Sequence, residues 1–188
     1  MDQGSGQILS RPNCFGNLGE AFDLDKGDVV FGQGDKNDSL YFIQVGLLKA
    51  FYVTGDGKER VKSFLKEADI IGNLAALTSG SGCSFTLICL EPSSLIRVRF
   101  GDLLYLAKSD LVVANELVRL LANLAAKKER REYEFLCFSA KERYAALKDA
   151  SPDLLERVTQ NDVARYLGIT PVALSRIRAR MRSLQQSI

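Results

Sequence analysis

The sequence contains no histidine, and this single absence removes several classes of function. Ser-His-Asp and Cys-His catalysis, histidine-bound zinc and histidine-ligated haem all require the imidazole ring. No acid–base pair or nucleophile constellation stands in for the missing general base. We therefore expect a protein that is not an enzyme.

Cysteine is scarce too, and the four cysteines are scattered, at Cys14, Cys83, Cys89 and Cys137. No pair has the short spacing of a zinc or iron–sulfur site, so we expect no metal. Cys89 and Cys137 stand among apolar neighbours, which is typical of buried free thiols with a structural role.

Long apolar runs are also missing. No stretch of about 18 apolar residues occurs, so the sequence predicts no membrane span. Residues 1–6 have neither the basic start nor the apolar core of a secretory signal. Together these two absences predict a cytoplasmic protein.

Charge is unevenly distributed, although the net charge is only +2. Residues 1–126 carry 12 basic side chains against 15 acidic ones, whereas residues 127–188 carry 13 against 8. Four arginines and no acidic residue fall within residues 171–182. A mildly acidic N-terminal part and a basic C-terminal part indicate that the C-terminal part binds a polyanion.

Short segments rich in β-branched and aromatic residues, punctuated by glycine, run from Ala21 to Phe100. Their strand propensity and the Gly55-Asp56-Gly57 turn predict a barrel or sandwich of short strands. The predicted strands span residues 28–31, 39–43, 47–53, 59–65, 85–90 and 94–99.

The pattern becomes helical in the second half of the chain. Val113, Leu117, Leu120 and Leu124 recur at spacings of four, three and four, which makes one apolar stripe, and Asp110 suits the N-cap. From the residues alone, the stripe either packs on its own domain, which is the commoner case, or pairs with its twin across a two-fold axis.

The most specific stretch has the pattern of a helix-turn-helix. Thr159 and Asp162 resemble a capping box, and Gly168 supplies the left-handed residue that ends the first helix. Thr170 caps a second helix, and Pro171 takes its first position, where the missing N–H is harmless. The alternative is a plain helical hairpin with a solvated basic face.

A second helix of this kind can lie in the major groove of DNA, where its N-terminal residues read bases and the others hold phosphates. Arg176 is the candidate for a bidentate contact with guanine, and the arginines after it are candidates for phosphate contacts. The predicted DNA-binding residues are Thr159, Gln160, Thr170, Val172, Ala173, Ser175, Arg176, Arg178 and Arg180.

The chain from about Asp23 onward resembles the catabolite-activator and fumarate-nitrate-reductase (Crp/Fnr) family of bacterial regulators. Besides the helix-turn-helix, the residues that carry the resemblance are Gly27-Asp28, Gly34 with Ser39-Leu40-Tyr41-Phe42-Ile43, Gly46 and Ile70-Ile71-Gly72-Asn73-Leu74.

The resemblance implies an α+β architecture in three parts. These are an N-terminal β-roll (a double-stranded, jelly-roll-like β-helix, residues 1–108), a long dimerisation helix (109–136) and a C-terminal helix-turn-helix domain (137–188). It also implies a homodimer, with double-stranded DNA and RNA polymerase as partners. The seam of that dimer is then expected along the stripe of Val113, Leu117, Leu120 and Leu124.

The chain departs from the family pattern where cyclic AMP would bind. Asn73 stands where members that bind cyclic AMP have a glutamate for the ribose, and Cys83-Ser84 replaces an arginine for the phosphate followed by serine or threonine. A charge-assisted pair of this kind is worth about 1.5–3 kcal/mol, so we expect no tight binding of cyclic AMP. Another small effector, or none, is expected in a pocket lined by Gly72, Asn73, Leu74, Cys83, Ser84 and Lys128.

The sequence also lacks the ligands that the iron–sulfur and haem branches of the family require. The iron–sulfur branch carries an N-terminal cysteine cluster, whereas this sequence has only Cys14 there, and the haem branch needs ligands such as histidine. Members often have a β-hairpin wing after the recognition helix, and with the sequence ending at Ile188 we expect no wing. The sequence thus predicts a DNA-binding transcription regulator, and the main alternative is a ligand sensor whose helical tail contacts a protein.

Overall fold

A computed structural model describes residues 18–185. Cys14 and Ile188, which entered the expectations above, lie outside the described residues. The strands are β1 (Glu20–Leu24), β2 (Val29–Phe31), β3 (Ser39–Val45), β4 (Leu48–Val53), β5 (Glu59–Leu65), β6 (Ile70–Ile71), β7 (Thr86–Cys89) and β8 (Ser93–Arg99). The helices are α1 (Leu74–Ser79), α2 (Phe100–Ala107), α3 (Leu111–Cys137), α4 (Ala140–Ala150), α5 (Leu154–Arg157), α6 (Gln160–Leu167) and α7 (Pro171–Gln185).

The strands form two four-stranded sheets whose neighbours all pair antiparallel. Their orders are β1-β8-β3-β6 and β2-β7-β4-β5, so the chain crosses between the sheets repeatedly. The side chains that face the space between the sheets form one apolar core, which includes Phe31, Tyr41, Ile43, Leu48, Phe85, Leu87 and Leu95. The predicted β-roll is therefore confirmed.

Helix α3 is 27 residues long and begins where the sequence indicated. Its N-cap is Asp110, whose Oδ1 accepts hydrogen bonds from the backbone N–H groups of Val112 (2.8 Å) and Val113 (3.3 Å). Leu117 and Leu120 are only 5% and 6% exposed because they pack against the outer face of the β-roll and against α2. Burial of each leucine contributes roughly 1.5–3 kcal/mol.

This packing involves all four residues of the predicted dimer seam. Val113, Leu117, Leu120 and Leu124 all belong to, or pack on, an apolar cluster within their own chain. A side chain that is already covered by its own domain has little apolar surface left for a twin helix. Packing on their own domain therefore accounts for Leu117 and Leu120, and the dimer seam stays a prediction.

A third apolar cluster holds the C-terminal helices together and joins them to the β-roll. Helix α4 starts with a complete capping box between Ser139 and Glu142. The buried side chains of the cluster come from α4, α5, α6 and α7, and also from the β-roll. They are Leu47, Tyr144, Leu154, Val158, Val163, Ala164, Leu167 and Leu174.

Three further observations concern cysteine, the membrane and metal ions. Cys83 and Cys89 are buried free thiols, but Cys137 is exposed at the end of α3, so the expectation that it is buried was wrong. Within residues 18–185, no helix is both long enough and apolar enough to cross a membrane. The same residues contain no cluster of three or more acidic or cysteine side chains that would suit a metal ion.

Candidate nucleic-acid interface and its docking on the β-roll

Helices α6 and α7 are joined by the tight turn that the sequence indicates. Thr159 Oγ1 accepts a hydrogen bond from the N–H of Asp162 (3.1 Å), and Gly168 ends α6 at φ +70°. Thr170 Oγ1 accepts from the N–H of Ala173 (3.2 Å), and Pro171 is the first residue of α7. Both helix starts therefore have the caps expected of a helix-turn-helix.

The predicted reading face of α7 is open to solvent. Of the nine predicted DNA-binding residues, seven are exposed and two, Ala173 and Arg178, are half-buried. Arg178 donates a hydrogen bond to Gln160 Oε1, which ties α7 to the start of α6. A shallow concavity of about 280 Å³ separates these helices, lined by Gln160, Pro171, Ser175, Arg178, Ala179 and Arg182.

Arg176 and Arg180 are the exposed cations of this face. Among residues 18–185, neither guanidinium group has an acidic or hydrogen-bonding partner. A guanidinium that is not engaged within its own chain can offer its fork of donors to guanine or to phosphate. The sequence-predicted site is thus assembled on one surface.

The first helix of this motif docks on the β-roll through buried charges, which no sequence signal indicated. Lys49 on β4 lies 3.0 Å from Asp162 on α6 and 3.3 Å from Glu59 on β5, measured from Nζ to carboxylate oxygen. Arg165 Nη1 lies 2.6 Å from the same Glu59 carboxylate. The side chains of Lys49 and Asp162 are only 10% and 9% exposed. Each charge in the docking contact is therefore balanced by a partner.

Aromatic contacts hold α6 from two sides. The rings of Phe64 on β5 and Tyr166 on α6 lie 5.5 Å apart, centroid to centroid. On the other side, the Arg131 guanidinium of α3 lies 3.9 Å from the centroid of the Tyr166 ring, and it also donates to the Tyr166 carbonyl. Tyr166 is therefore clamped between the β-roll and the central helix.

A second ion-pair group lies where α5 meets the β-roll. Arg157 is hydrogen-bonded to Glu67 (Nη2–Oε1 2.9 Å) and to Glu91. The hydrogen bonds from Arg157 lower the pKa of Glu67 to about 2, and those to Glu91 and Glu67 raise the pKa of Arg157. Beside this group, Lys66 Nζ lies 2.9 Å from Asp153 and lowers the pKa of that carboxyl.

The junction between α3 and the helix-turn-helix is fixed by one arginine. Arg143 of α4 donates to the carbonyls of Phe138 (2.6 Å) and Phe135 (3.2 Å) and, from its other nitrogen, to the carbonyl of Leu167 (3.1 Å). These carbonyls lie at the ends of α3 and α6, where helices lack internal donors. Arg143 therefore ties the two helix ends to each other.

Several residues of the predicted effector pocket are already engaged in hydrogen bonds and packing within the chain. Asn73 is 2% exposed, its Oδ1 caps α1 by accepting from the N–H of Ala76 (3.2 Å), and its Nδ2 donates to Ser84 Oγ (3.1 Å). A Cβ on Gly72 would lie 2.5 Å from Leu40 Cδ2, so glycine is required there for close packing. Leu74 is half-buried on α1, and Lys128 is exposed on α3.

Cys83 belongs to the same internal framework. Its N–H donates to the Asp35 carbonyl (2.8 Å), and its carbonyl accepts from the N–H of Gly34 (2.7 Å). The thiol is buried, and this burial, with the nearby Asp35 charge, raises the pKa of Cys83. A raised thiol pKa leaves little of the thiolate that makes cysteines reactive.

Lys62 on β5 is a charged residue of this region that the sequence did not single out. Its Nζ lies 4.7 Å from the centroid of the buried Phe85 ring. Burial, together with the positive charge of Lys128, lowers the pKa of Lys62. The only sequence signal was a lysine inside a predicted strand, and that is typical of an ordinary solvent-facing position.

The fold and the site together define a class: a β-roll joined by a long helix to a helix-turn-helix. A sequence model of the cyclic nucleotide-binding domain matches residues 22–110. The chain is 26% identical over 174 residues to the anaerobic regulatory protein of Haemophilus influenzae, covering 86% of this chain and 66% of that protein. It is 25% identical over 170 residues to the fumarate and nitrate reduction regulatory protein of Escherichia coli K12, covering 85% and 67%.

The fold comparison agrees with the sequence comparison. FixK2 from Bradyrhizobium japonicum superposes with a TM-score of 0.74 over 89% of this chain and 86% of that chain, at 20% identity, so the likeness concerns the fold. In sequence and in fold, the chain is similar to Crp/Fnr transcription regulators over most of its length. It spans about two thirds of the length of the curated relatives it matches.

Proposed function

We propose that the chain is a sequence-specific DNA-binding regulator that reads a two-fold symmetric operator with α7. The observation that carries the proposal is the capped, exposed helix α7 with its unengaged arginines, Arg176 and Arg180. Arg176 contacts a base, and the other basic residues of α7 hold the phosphate backbone. In this role RNA polymerase is a partner, and the protein acts in the cytoplasm.

The dimer forms through the face of α3 that points away from the β-roll. That face carries Leu111 and Val118, which are 75% and 65% exposed, and the exposed alanines Ala122 and Ala125. These residues recur at spacings of seven, four and three, so they share one side of the helix. Small and apolar side chains let two helices approach closely, and this seam replaces the one predicted from the sequence.

The β-roll does not act as a cyclic AMP sensor. Asn73 donates a hydrogen bond to Ser84 and Cys83 is buried, and none of the three side chains carries a positive charge that could pair with a phosphate. This geometry supports the expectation, drawn from Asn73 and Cys83-Ser84, that cyclic AMP is not bound tightly. Another small effector, where one binds, shifts the equilibrium between arrangements of the docked helix-turn-helix.

Selection of random duplex DNA by the purified protein, at two salt concentrations, tests the proposal. The expected result is enrichment of a two-fold symmetric site whose affinity falls steeply with salt, because phosphate neutralisation releases counterions. Absence of any DNA binding at low salt would favour the alternative, in which the helical tail contacts a protein.

The dimer seam has its own test in analytical ultracentrifugation. Val118→Asp places a charge in the proposed seam and should convert the dimer to a monomer. Asn123→Asp adds a charge on a flank of the same helix and should leave the dimer intact. Equal behaviour of the two variants would place the interface elsewhere.

A further inference from the structure

Val172 is an exposed apolar side chain on the predicted reading face of α7. It is 61% exposed, and among residues 18–185 it belongs to none of the three apolar clusters that hold the fold together. The inward face of the helix is formed instead by Leu174, Ile177 and Met181. Packing within the chain therefore does not account for a valine at this position.

The neighbours of Val172 fix its position at the start of α7. Thr170 accepts hydrogen bonds from the N–H groups of Ala173 (to Oγ1, 3.2 Å) and Leu174 (to the carbonyl, 3.0 Å). Pro171, the first residue of the helix, has a backbone that its ring restricts. A β-branched side chain strongly prefers one rotamer in a helix. Val172 therefore presents two methyl groups in a preferred orientation, where a helix in the major groove meets the bases.

The chemistry that α7 offers to bases is narrow. Residues 171–183 contain no aspartate, glutamate, asparagine or glutamine. Acidic side chains accept from the amino group of cytosine, and asparagine or glutamine makes the bidentate contact with adenine. The outward side chains are instead those of Val172, Ser175, Arg176 and Ala179, all exposed. Besides the contact of Arg176 with guanine, this face favours an apolar contact, and the methyl group that base pairs present in the major groove belongs to thymine.

The spacing along α7 limits where such a thymine can lie. Val172 precedes Arg176 by four residues, so the two side chains share one face of the helix. Four residues advance an α-helix by about 6 Å, and successive bases of a DNA strand lie about 3.4 Å apart. The base that Val172 reaches is therefore at most about two steps from the guanine that Arg176 contacts.

We propose that Val172 reads the C5 methyl group of a thymine within about two base pairs of that guanine in each half-site. An isolated exposed valine is ordinary on a protein surface. This valine, however, shares its face with the unengaged Arg176, on a helix whose caps hold it in place. The inference rests on the proposed function and adds the chemical group that contributes to its specificity.

Deoxyuridine provides the direct test, because it lacks only the methyl group of thymidine and keeps the base pair. Each thymine of the selected operator is replaced in turn, in both half-sites together, and the affinity of the full chain is measured by fluorescence anisotropy. Replacement at one position near the guanine should weaken binding by about fourfold per half-site, as expected for one methyl group that is no longer buried. Specific binding that no replacement weakens would overturn the inference and leave the proposed function standing.

A second arm separates the methyl group from the rest of thymine. 5-Methylcytosine carries its methyl group at the same place in the major groove, whereas cytosine has none. At the sensitive position, the operator with 5-methylcytosine should bind more tightly than the operator with cytosine, again by about fourfold per half-site. Equal binding of these two operators would overturn the assignment to a methyl group.

Substitutions assign the contact to the side chain of Val172. Val172→Ala should bind the thymidine and deoxyuridine operators within about twofold of each other, because most of the apolar contact is lost. The position is exposed and alanine favours helix, so the fold is retained. Val172→Ile keeps a β-branched apolar side chain and should discriminate between the operators. Val45→Ala, at a β-roll valine that is 58% exposed, is the matched control and should discriminate as wild type.

The outcomes distinguish this inference from the proposed function. If Val172→Ala still discriminated as wild type does, another residue would contact the methyl group and the inference would be overturned. An enriched operator without a thymine near its guanine would overturn only the inference. Failure to enrich any operator would overturn the proposed function, and this inference with it.

Discussion

Lys49 and Asp162 are 113 residues apart in the sequence and form a buried ion pair, with Nζ 3.0 Å from Oδ1. The pair joins the β-roll to the first helix of the helix-turn-helix. Glu59 also accepts from Lys49, and Thr159 donates its hydroxyl proton to Asp162 (2.7 Å), so each charge has a second partner. Buried ion pairs add little net stability, but they penalise any arrangement that separates the charges.

These contacts fix the orientation of the helix-turn-helix relative to the β-roll. Lys49 with Asp162, Phe64 with Tyr166, and Arg157 with its two glutamates are three contacts between the β-roll and the C-terminal helices. The exposed face of α7 takes no part in them. The docked arrangement therefore leaves this face of α7 uncovered.

Asp162→Asn should destabilise the protein by about 1–3 kcal/mol. Loss of one partner from a fully buried pair is worth about 3–5 kcal/mol, and here Glu59 still balances the charge of Lys49, so we expect a smaller loss. Urea unfolding measures the change. The control is Asp149→Asn, at an exposed aspartate of α4, and a loss no larger than that of the control would contradict an electrostatic docking contact.

Acid should weaken the α5 contact through Glu67. Its folded-state pKa, about 2, lies below its ordinary value of 4.5 because Arg157 holds the charged form. A depressed carboxyl pKa adds stability that is present above the ordinary value and is lost as pH falls towards the folded-state value. The stability of the wild type should therefore fall more than that of Glu67→Gln as the pH is lowered from about 5 to 3.

The measurement for this second prediction is urea unfolding at a series of pH values. Glu67 is partly exposed, so solvent screening makes the difference modest. Glu156→Gln, at an exposed glutamate of α5 without a described ion pair, should follow the wild-type pH dependence. Parallel curves for wild type and Glu67→Gln would contradict the role of Arg157.

Local signals predicted the parts of the fold that local chemistry decides. The sequence indicated the caps at Asp110 and Thr170, the left-handed Gly168 and the span of β5, because each depends on residues a few positions apart. The elements β6 and α1 were missed because two and six residues are too few to show a period.

The sequence did not indicate which part of the molecule covers each apolar or charged face. The stripe of α3 showed which residues share a face, but the period cannot say whether the chain's own β-roll or a twin helix covers that face. The Lys49–Asp162 pair depends on a contact across 113 residues, and a lysine in a strand is ordinarily solvated. Lys62 was missed because a bulge, which the alternation pattern does not reveal, redirects it.

Gly168→Ala should destabilise the helix-turn-helix by about 1–2 kcal/mol. The residue has φ +70°, where side chains are strained, and an added Cβ would lie 3.0 Å from Cε2 of Phe135 on α3. Thermal unfolding measures the loss as a lower Tm. Gly55→Ala is the matched control, since φ there is not positive and no atom lies within 4 Å of its Cβ position. Similar melting of the two variants would mean that the turn tolerates a side chain.

Arg176 and Arg180 should differ in what they contribute to DNA binding, because one is assigned to a base and the other to a phosphate. Arg176→Ala should reduce the preference for the selected operator over scrambled DNA by about 1–3 kcal/mol per half-site. Arg180→Ala should weaken both DNAs alike and lower the salt slope by about one unit per half-site, because one phosphate contact is lost. Fluorescence anisotropy at several salt concentrations separates the two effects. An Arg176→Ala variant could instead keep its full preference for the operator while losing affinity for both DNAs. That result would assign Arg176 to a phosphate contact and leave base contacts to Val172, Ala173 and Ser175.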